Sequence, residues 1–331
     1  TASATLAFSP ALSLSLRGGH YVRARASRRV TLSASASGGQ KKAKLPPGWD
    51  QFEGLSHEYF ADKYKDNQIP GFAGPVYSDV KLQLAVVAGN TDEVTALLEQ
   101  GDNIDEQNER GWTALMYSAK MANRDLASLL LAKGADPRLQ DGFGNTALHH
   151  ACSHDPSSAI ASALLAAVGP KEAAAVENKS GMTPLHSAAA AGNRAAAEAL
   201  LAAGADIDAL TGQGFTPLLE ACQAGADDCV LLLLEAGADP ALADAASGDA
   251  PVHVAAYSGS GSVLGMLLEK GADAAVRNGE GDTALLMAAK AGNSQCVKVL
   301  IGHGVDLDAP GARGRVPLHD ASRWGKKSVV Q

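Results

Sequence analysis

The chain repeats itself with a period of about 33 residues, and few folds tolerate such a period. A short motif returns as Thr113-Ala114-Leu115, Thr146-Ala147-Leu148-His149, Thr183-Pro184-Leu185-His186 and Thr216-Pro217-Leu218. It continues as Ala250-Pro251-Val252-His253, Thr283-Ala284-Leu285 and Val316-Pro317-Leu318-His319, after a weaker first copy at Val80-Lys81-Leu82. The central apolar residues are Leu82, Leu115, Leu148, Leu185, Leu218, Val252, Leu285 and Leu318, at spacings of 33, 33, 37, 33, 34, 33 and 33. A second motif follows later in the units, as Gly134-Ala135-Asp136, Gly204-Ala205-Asp206, Gly237-Ala238-Asp239, Gly271-Ala272-Asp273 and Gly304-Val305-Asp306. One such unit cannot bury its apolar side alone, so the units must stack in a row around a continuous core.

Each unit reads as two helices. The Thr can cap the first, and Pro fits its first turn, where a missing N–H costs nothing. The key Leu and the Ala three residues on share one helical face. A glycine such as Gly192 permits the tight turn between helices, and the second helix carries an apolar stripe such as Val230, Leu233 and Leu234. The chain is 46% hydrophobic but only 5% aromatic, which suits small, closely packed helices.

The two motifs together resemble the ankyrin repeat, T-P-L-H-x-A followed by G-A-D. The resemblance covers residues 79–331 and implies an all-α ankyrin-repeat solenoid, with helix–turn–helix units and β-hairpin fingers projecting between them. Seven full repeats and an incomplete eighth are expected over 80–331. The third is four residues longer, with the excess around Gly169–Val176, and has His154-Asp155-Pro156 where others turn on Gly. It is the expected place for a bend.

Charge separates the start of the chain from its body. Residues 1–44 hold eight of the 28 Lys/Arg and no acid, which leaves 20 basic and all 36 acidic residues for 45–331. A Ser-, Ala- and Arg-rich segment without acids reads as an organelle transit peptide. Val22-Arg23-Ala24 resembles a green-algal chloroplast processing site, so chloroplast is the expected location, with mitochondrion as the alternative. Residues 45–79 carry seven of the 15 aromatics and read as an N-terminal cap segment. Leu45-Pro46-Pro47-Gly48-Trp49 resembles a WW opening, but the second Trp that domain needs is missing at its spacing. The acidic body argues against nucleic acid as the ligand, and no apolar run is long enough to span a membrane. The chain starts on Thr and stops inside the eighth unit, so continuation at both ends is expected.

The repeat register absorbs most residues that suggest chemistry. His149, His186, His253 and His319 hold one slot, where the resemblance implies a hydrogen bond to the adjacent finger. His150 and His154 lie four apart on one helix with no third ligand, so no metal site is expected. Cys152 and Cys222 share one core slot and Cys229 and Cys296 another, which predicts reduced buried thiols. Gly142-Phe143-Gly144 and Gly279-Glu280-Gly281 spell the start of a dinucleotide motif but fall on fingers, without the strand that motif needs. No catalytic set and no cofactor site is expected.

The resemblance implies binding along the surface of first helices and finger tips. Trp112, Tyr117, Met182 and Phe215 fall in slots expected to face solvent, with Phe143 on a finger beside them. Glu220, Tyr257 and Met287 extend the same surface. Exposed aromatics in a cluster are typical of binding sites. Asp141, Asp249, Glu280 and Asp282 on the fingers are expected to attract a basic partner. The function expected is a protein-binding scaffold rather than an enzyme. The alternative is the regulatory arm of an enzyme whose catalytic domain lies beyond Gln331.

Overall fold

A computed structural model describes residues 81–330. The basic segment 1–44 and the aromatic-rich segment 45–79 lie outside the described residues.

Every described repeat is a pair of helices. The first helices are α1 (Lys81–Ala88), α3 (Ala114–Lys120), α5 (Ala147–His154), α8 (Pro184–Ala191), α10 (Pro217–Ala224), α12 (Pro251–Ser258), α14 (Ala284–Ala291) and α16 (Pro317–Arg323). Their partners are α2 (Thr91–Glu99), α4 (Arg124–Ala132), α6 (Ala159–Val168), α9 (Arg194–Ala202), α11 (Asp227–Glu235), α13 (Gly261–Glu269), α15 (Ser294–Gly302) and α17 (Lys327–Val330). Each first helix packs on the first helix of the next unit, and from α4 onward the second helices do the same. The result is the stacked two-row solenoid that the period predicts. Its core is the column of key residues from Leu82 to Leu285, each at most 3% exposed. Leu318 of the eighth repeat is 57% exposed.

The caps form as the motif requires. Thr113 accepts from the Met116 N–H, Thr216 from Leu219 and Thr283 from Leu286. Three of the second helices are capped by asparagines: Asn90, Asn123 and Asn193 accept from the N–H three residues on. Asn193 also donates its amide to the carbonyls of Cys152 and Asp155, so one residue caps its helix and ties it to the previous repeat.

The fingers are tight hairpin turns, and no strand occurs among the described residues. Successive fingers are joined by single backbone hydrogen bonds: Gly142 N–H to the Arg110 carbonyl (2.6 Å), Lys179 N–H to Phe143 (2.9 Å), Gly212 N–H to Ser180 (2.9 Å) and Gly279 N–H to Ser247 (2.8 Å).

The third repeat departs where its sequence does. Its extra residues form a short added helix, α7 (Pro170–Ala174), after the second helix. At its inter-helix turn Ser158 takes a left-handed φ of +54°, a costly conformation for a residue other than glycine. Asp155 offsets this by accepting from the N–H groups of Ser157 (3.0 Å) and Ile160 (2.9 Å).

Candidate functional site: the face of first helices and finger tips

The histidines of the repeat motif are scaffold. Nε2 of His149 faces the Met182 carbonyl at 3.1 Å, Nε2 of His186 the Phe215 carbonyl at 3.0 Å, and Nε2 of His253 the Asp282 carbonyl at 3.1 Å. A carbonyl only accepts, so Nε2 carries the proton. Nδ1 then accepts from the backbone N–H at the helix start, from Thr146, Thr183 and Ala250. Neutral imidazole is required, and burial first of all lowers all three pKa values, that of His149 to about 4. His319 in the same slot is exposed. All four cysteines are buried free thiols, with burial pushing Cys229 and Cys296 up to about 11 and Cys152 and Cys222 higher still.

Among the described residues no group of three or more His, Cys, Asp or Glu is placed to hold a metal ion. No described helix is long and apolar enough to cross a membrane. A cleft of about 390 Å³ between the third and fourth repeats is lined by Ser153, His154, Pro156, Arg194 and Glu198, among others.

The expected surface divides into three registers. Five residues after the key Leu or Val, the side chains stand outward: Ala190, Gln223, Tyr257 and Arg323 are exposed, and Tyr257 is 43% accessible. Three residues before it, Trp112, Met182 and Phe215 are half-buried. Two residues after it, the side chains turn in. Tyr117 and Glu220 are half-buried, His150 and Ser187 are buried, and Met287 is 6% exposed and part of the core. Met287 is therefore a packing residue and leaves the candidate surface. Its register lies under the neighbouring unit, which a period alone does not reveal.

The acidic expectation needs the same correction. Asp141, Asp249 and Asp282 are buried. Asp141 accepts from the N–H groups of Phe143 and Asn145 and pairs with His150. Asp249 accepts from the Asn278 amide, and Asp282 from the Ala312 N–H and the Arg315 guanidinium. These carboxylates close the fingers instead of facing a ligand. Glu280 stays exposed, with the Lys290 ammonium 3.8 Å away.

One cluster draws candidates together. The Trp112 ring lies 5.0 Å from Tyr117 and 4.2 Å from His150, centroid to centroid. The Lys120 ammonium sits 4.9 Å over the Trp112 ring, a cation–π placement. The Tyr117 hydroxyl accepts from the Asn108 amide at 3.1 Å. Burial raises the Tyr117 pKa, against the Asn108 hydrogen bond and the Arg110 charge. Phe143, on the next finger, is 71% exposed, the highest value for a large apolar side chain among the described residues. Met182 and Phe215 make no ring contact with this cluster; their carbonyls serve the histidine bonds already described. Glu220 is set apart too, its pKa raised by burial. His150 holds the slot of Tyr117 one period later and Lys120 the slot five after Leu115, so the register puts both on the expected surface; only the fold shows that they meet the Trp112 ring.

The family model for ankyrin repeats matches 81–141, 124–211, 168–244, 208–278 and 252–331. The mitochondrial disaggregase of Bos taurus is 41% identical over 71 residues, 22% of this chain and 10% of that protein. The B-cell lymphoma 3 protein homolog of Mus musculus is 34% identical over 136 residues, 40% of this chain and 30% of that protein. The chain thus spans less than a third of either relative. The crystal structure of the human ASB11 ankyrin repeat domain superposes with a TM-score of 0.60 at 28% identity, covering 69% of this chain and 99% of that one. The chain belongs to the ankyrin-repeat family, and its repeats form a protein-interaction domain.

Proposed function

We propose that this chain is a scaffold that holds a partner protein on the face of first helices and finger tips, centred on Trp112 and Phe143. The observation that carries the reading is Phe143, 71% exposed on a finger beside the Trp112–Tyr117–His150 cluster. A large ring in water next to a partly covered aromatic cluster is an anchor in search of a pocket. Met182, Phe215 and Tyr257 extend the surface along the following repeats. The acid-free start of the chain supports work in the chloroplast, with the mitochondrion as alternative.

Affinity purification of the full chain, wild type against Phe143→Ala, tests the surface. The variant is expected to lose the main partner while its melting temperature stays the same. Equal recovery of every partner would remove the surface from consideration. Fusing residues 1–44 to a fluorescent protein and offering it to isolated chloroplasts and mitochondria tests the location.

A second reading makes the repeats the regulatory arm of a longer enzyme. It is favoured by the disaggregase match, which covers 10% of a much larger protein. A full-length transcript decides it: a stop codon within a repeat or so of Gln331 excludes that reading.

A further inference from the structure

We propose that the exposed edge of three consecutive fingers, at Glu177, Leu210 and Ala243, docks an extended segment of a partner protein that carries arginine at every third residue. This edge is separate from the Trp112 face, and the proposal does not rest on that face.

The edge follows from one slot of the repeat. The residue just before each finger turn is Gln107, Gln140, Glu177, Leu210, Ala243, Arg277 and Pro310 in successive units. Where this side chain is a long donor, it bridges fingers. Gln107 Nε2 donates to the Gly111 carbonyl of its own finger (2.8 Å) and to the Gln140 carbonyl of the next (2.9 Å). Gln140 Nε2 donates to the Glu177 carbonyl (3.2 Å). One Arg277 guanidinium nitrogen donates to the Gly281 carbonyl of its own finger (2.8 Å) and to the Pro310 carbonyl of the next. Each bridge ends on the carbonyl of the same slot one unit on.

Glu177, Leu210 and Ala243 interrupt this ladder. An ionised carboxylate, an isobutyl group and a methyl group have no proton to give. The slot carbonyls of Leu210, Ala243 and Arg277 therefore lack the bridge that those of Gln140, Glu177 and Pro310 receive. The interruption runs over three adjacent units, and all three side chains stand in water, with Leu210 56% exposed.

The chain itself displays the chemistry that fills such a gap. Arg277 is a guanidinium seated on the carbonyls of two fingers, and a partner's arginine fits the same pose. Charge favours it. Exposed Glu177 and Asp206 both act electrostatically on His186, so two carboxylates border the edge. The nearby Lys179 reaches back to the Gly142 carbonyl of the preceding finger. Leu210 offers apolar surface to the methylene stem of an arginine.

Spacing selects the form of the segment. Stacked helical units repeat at about 10 Å. A polyproline II helix advances about 9 Å in three residues and returns to the same face. A β-strand alternates faces, so its third residue on points the other way. The partner thus presents Arg-x-x-Arg-x-x-Arg in the polyproline II form, one arginine per finger.

The test is fluorescence anisotropy of the full chain with a labelled peptide of three Arg-Pro-Pro units, whose prolines keep each arginine extended. A peptide of the same composition with its three arginines adjacent is the control for net charge. Wild type is expected to bind the spaced peptide about tenfold tighter, because only that peptide engages three fingers at once. Leu210→Gln/Ala243→Gln supplies the missing donors from within the chain. It is expected to weaken the spaced peptide about tenfold, the scale of a hydrogen bond to a charged group, with an unchanged or higher melting temperature. Glu177→Gln, an exposed substitution, repeats the test independently of the double variant's folding and is expected to weaken the same peptide. Equal wild-type affinity for the two peptides overturns the proposal, since an acidic surface would then only be collecting charge. So does wild-type affinity in the substituted proteins. Phe143→Ala is expected to bind the spaced peptide as wild type does; loss of binding there would move the peptide to the Trp112 face and overturn the assignment to this edge.

Discussion

His150 Nε2 lies 3.0 Å from Asp141 Oδ2, and this bond joins a finger to the first helix of its own repeat directly under the Trp112 ring. The Asp141 side chain is fully buried, and the same carboxylate closes the finger by accepting from the Phe143 and Asn145 amides. The exposed anchor Phe143 is thus held by the group that orients the ring stack, which couples the two halves of the candidate surface.

Removing Asp141 should therefore loosen finger and helix together. Asp141→Ala is expected to cost about 3 kcal/mol, the scale of charge-assisted bonds lost with their partners left buried. Asp141→Asn should cost less, because Asn108 and Asn178 serve the same turn in neighbouring repeats. Burial pushes the Asp141 pKa up, but the bonds from His150, Asn145 and Phe143 outweigh it and leave it lowered. Its stabilisation is full above the unfolded value of about 4 and is lost as pH falls through the folded value. Urea unfolding should show the gap between wild type and Asp141→Asn beginning to shrink below pH about 4 and shrinking further as the pH is lowered. A gap that does not narrow at all on acidification would contradict the assignment.

The motif histidines give a second, distinct pH response. His149 is neutral in the fold, with a pKa of about 4, against 6.5 for an ordinary solvated imidazole. A lowered histidine pKa favours the fold at high pH. The stabilisation is full above about 6.5 and is lost as pH drops toward 4, to the extent of roughly 3 kcal/mol. His186 and His253 shift in the same direction. Wild type should thus lose urea stability between pH 7 and 5, well above the range where Asp141 acts. His149→Gln, which can still reach back to the Thr146 N–H as a capping box does, should show a shallower slope. Identical slopes would mean that His149 does not titrate on unfolding.

Two glycines with similar backbones separate strain from crowding. Gly181 has φ +77° and Gly204 has φ +87°. A Cβ on Gly181 would meet the Gly212 backbone nitrogen at 2.7 Å, while one on Gly204 would meet nothing within 4 Å. Gly204→Ala should cost about 1 kcal/mol for the left-handed backbone alone. Gly181→Ala should cost clearly more, because the clash is with the backbone of the next finger, which cannot rotate away. Thermal melts of the two single variants decide it; equal losses would show that fingers slide freely past one another.

The contrast explains what the sequence discloses. A period is a property of the backbone, so helix pairs, caps, buried thiols and the four-residue excess of the third repeat are all readable from spacing. Which side chain of a slot reaches water depends on the unit stacked against it. Tyr117 and Met287 share a slot, yet one is half-buried beside Trp112 and the other lies in the core. Asp141, Asp249 and Asp282 look like surface charges in one dimension, and only the fold shows that turn amides and neighbouring side chains consume them. Phe143 is legible because a finger tip has no neighbour to hide it.

That difference yields a paired prediction on two residues that the sequence assigns to one surface. Phe143 is 71% exposed and Met287 is 6% exposed. Met287→Ala empties packed space in the seventh repeat and should cost about 2–5 kcal/mol, with partner binding reduced only in proportion to unfolding. Phe143→Ala removes an exposed ring and should change stability by less than about 0.5 kcal/mol, yet lose the partner. In a stack where each unit supports the next, the Met287 loss should be felt most at the end of the solenoid, as faster amide exchange in α14–α17 before the middle repeats. Exchange that rises evenly from α3 to α17 would instead mark the array as one cooperative block.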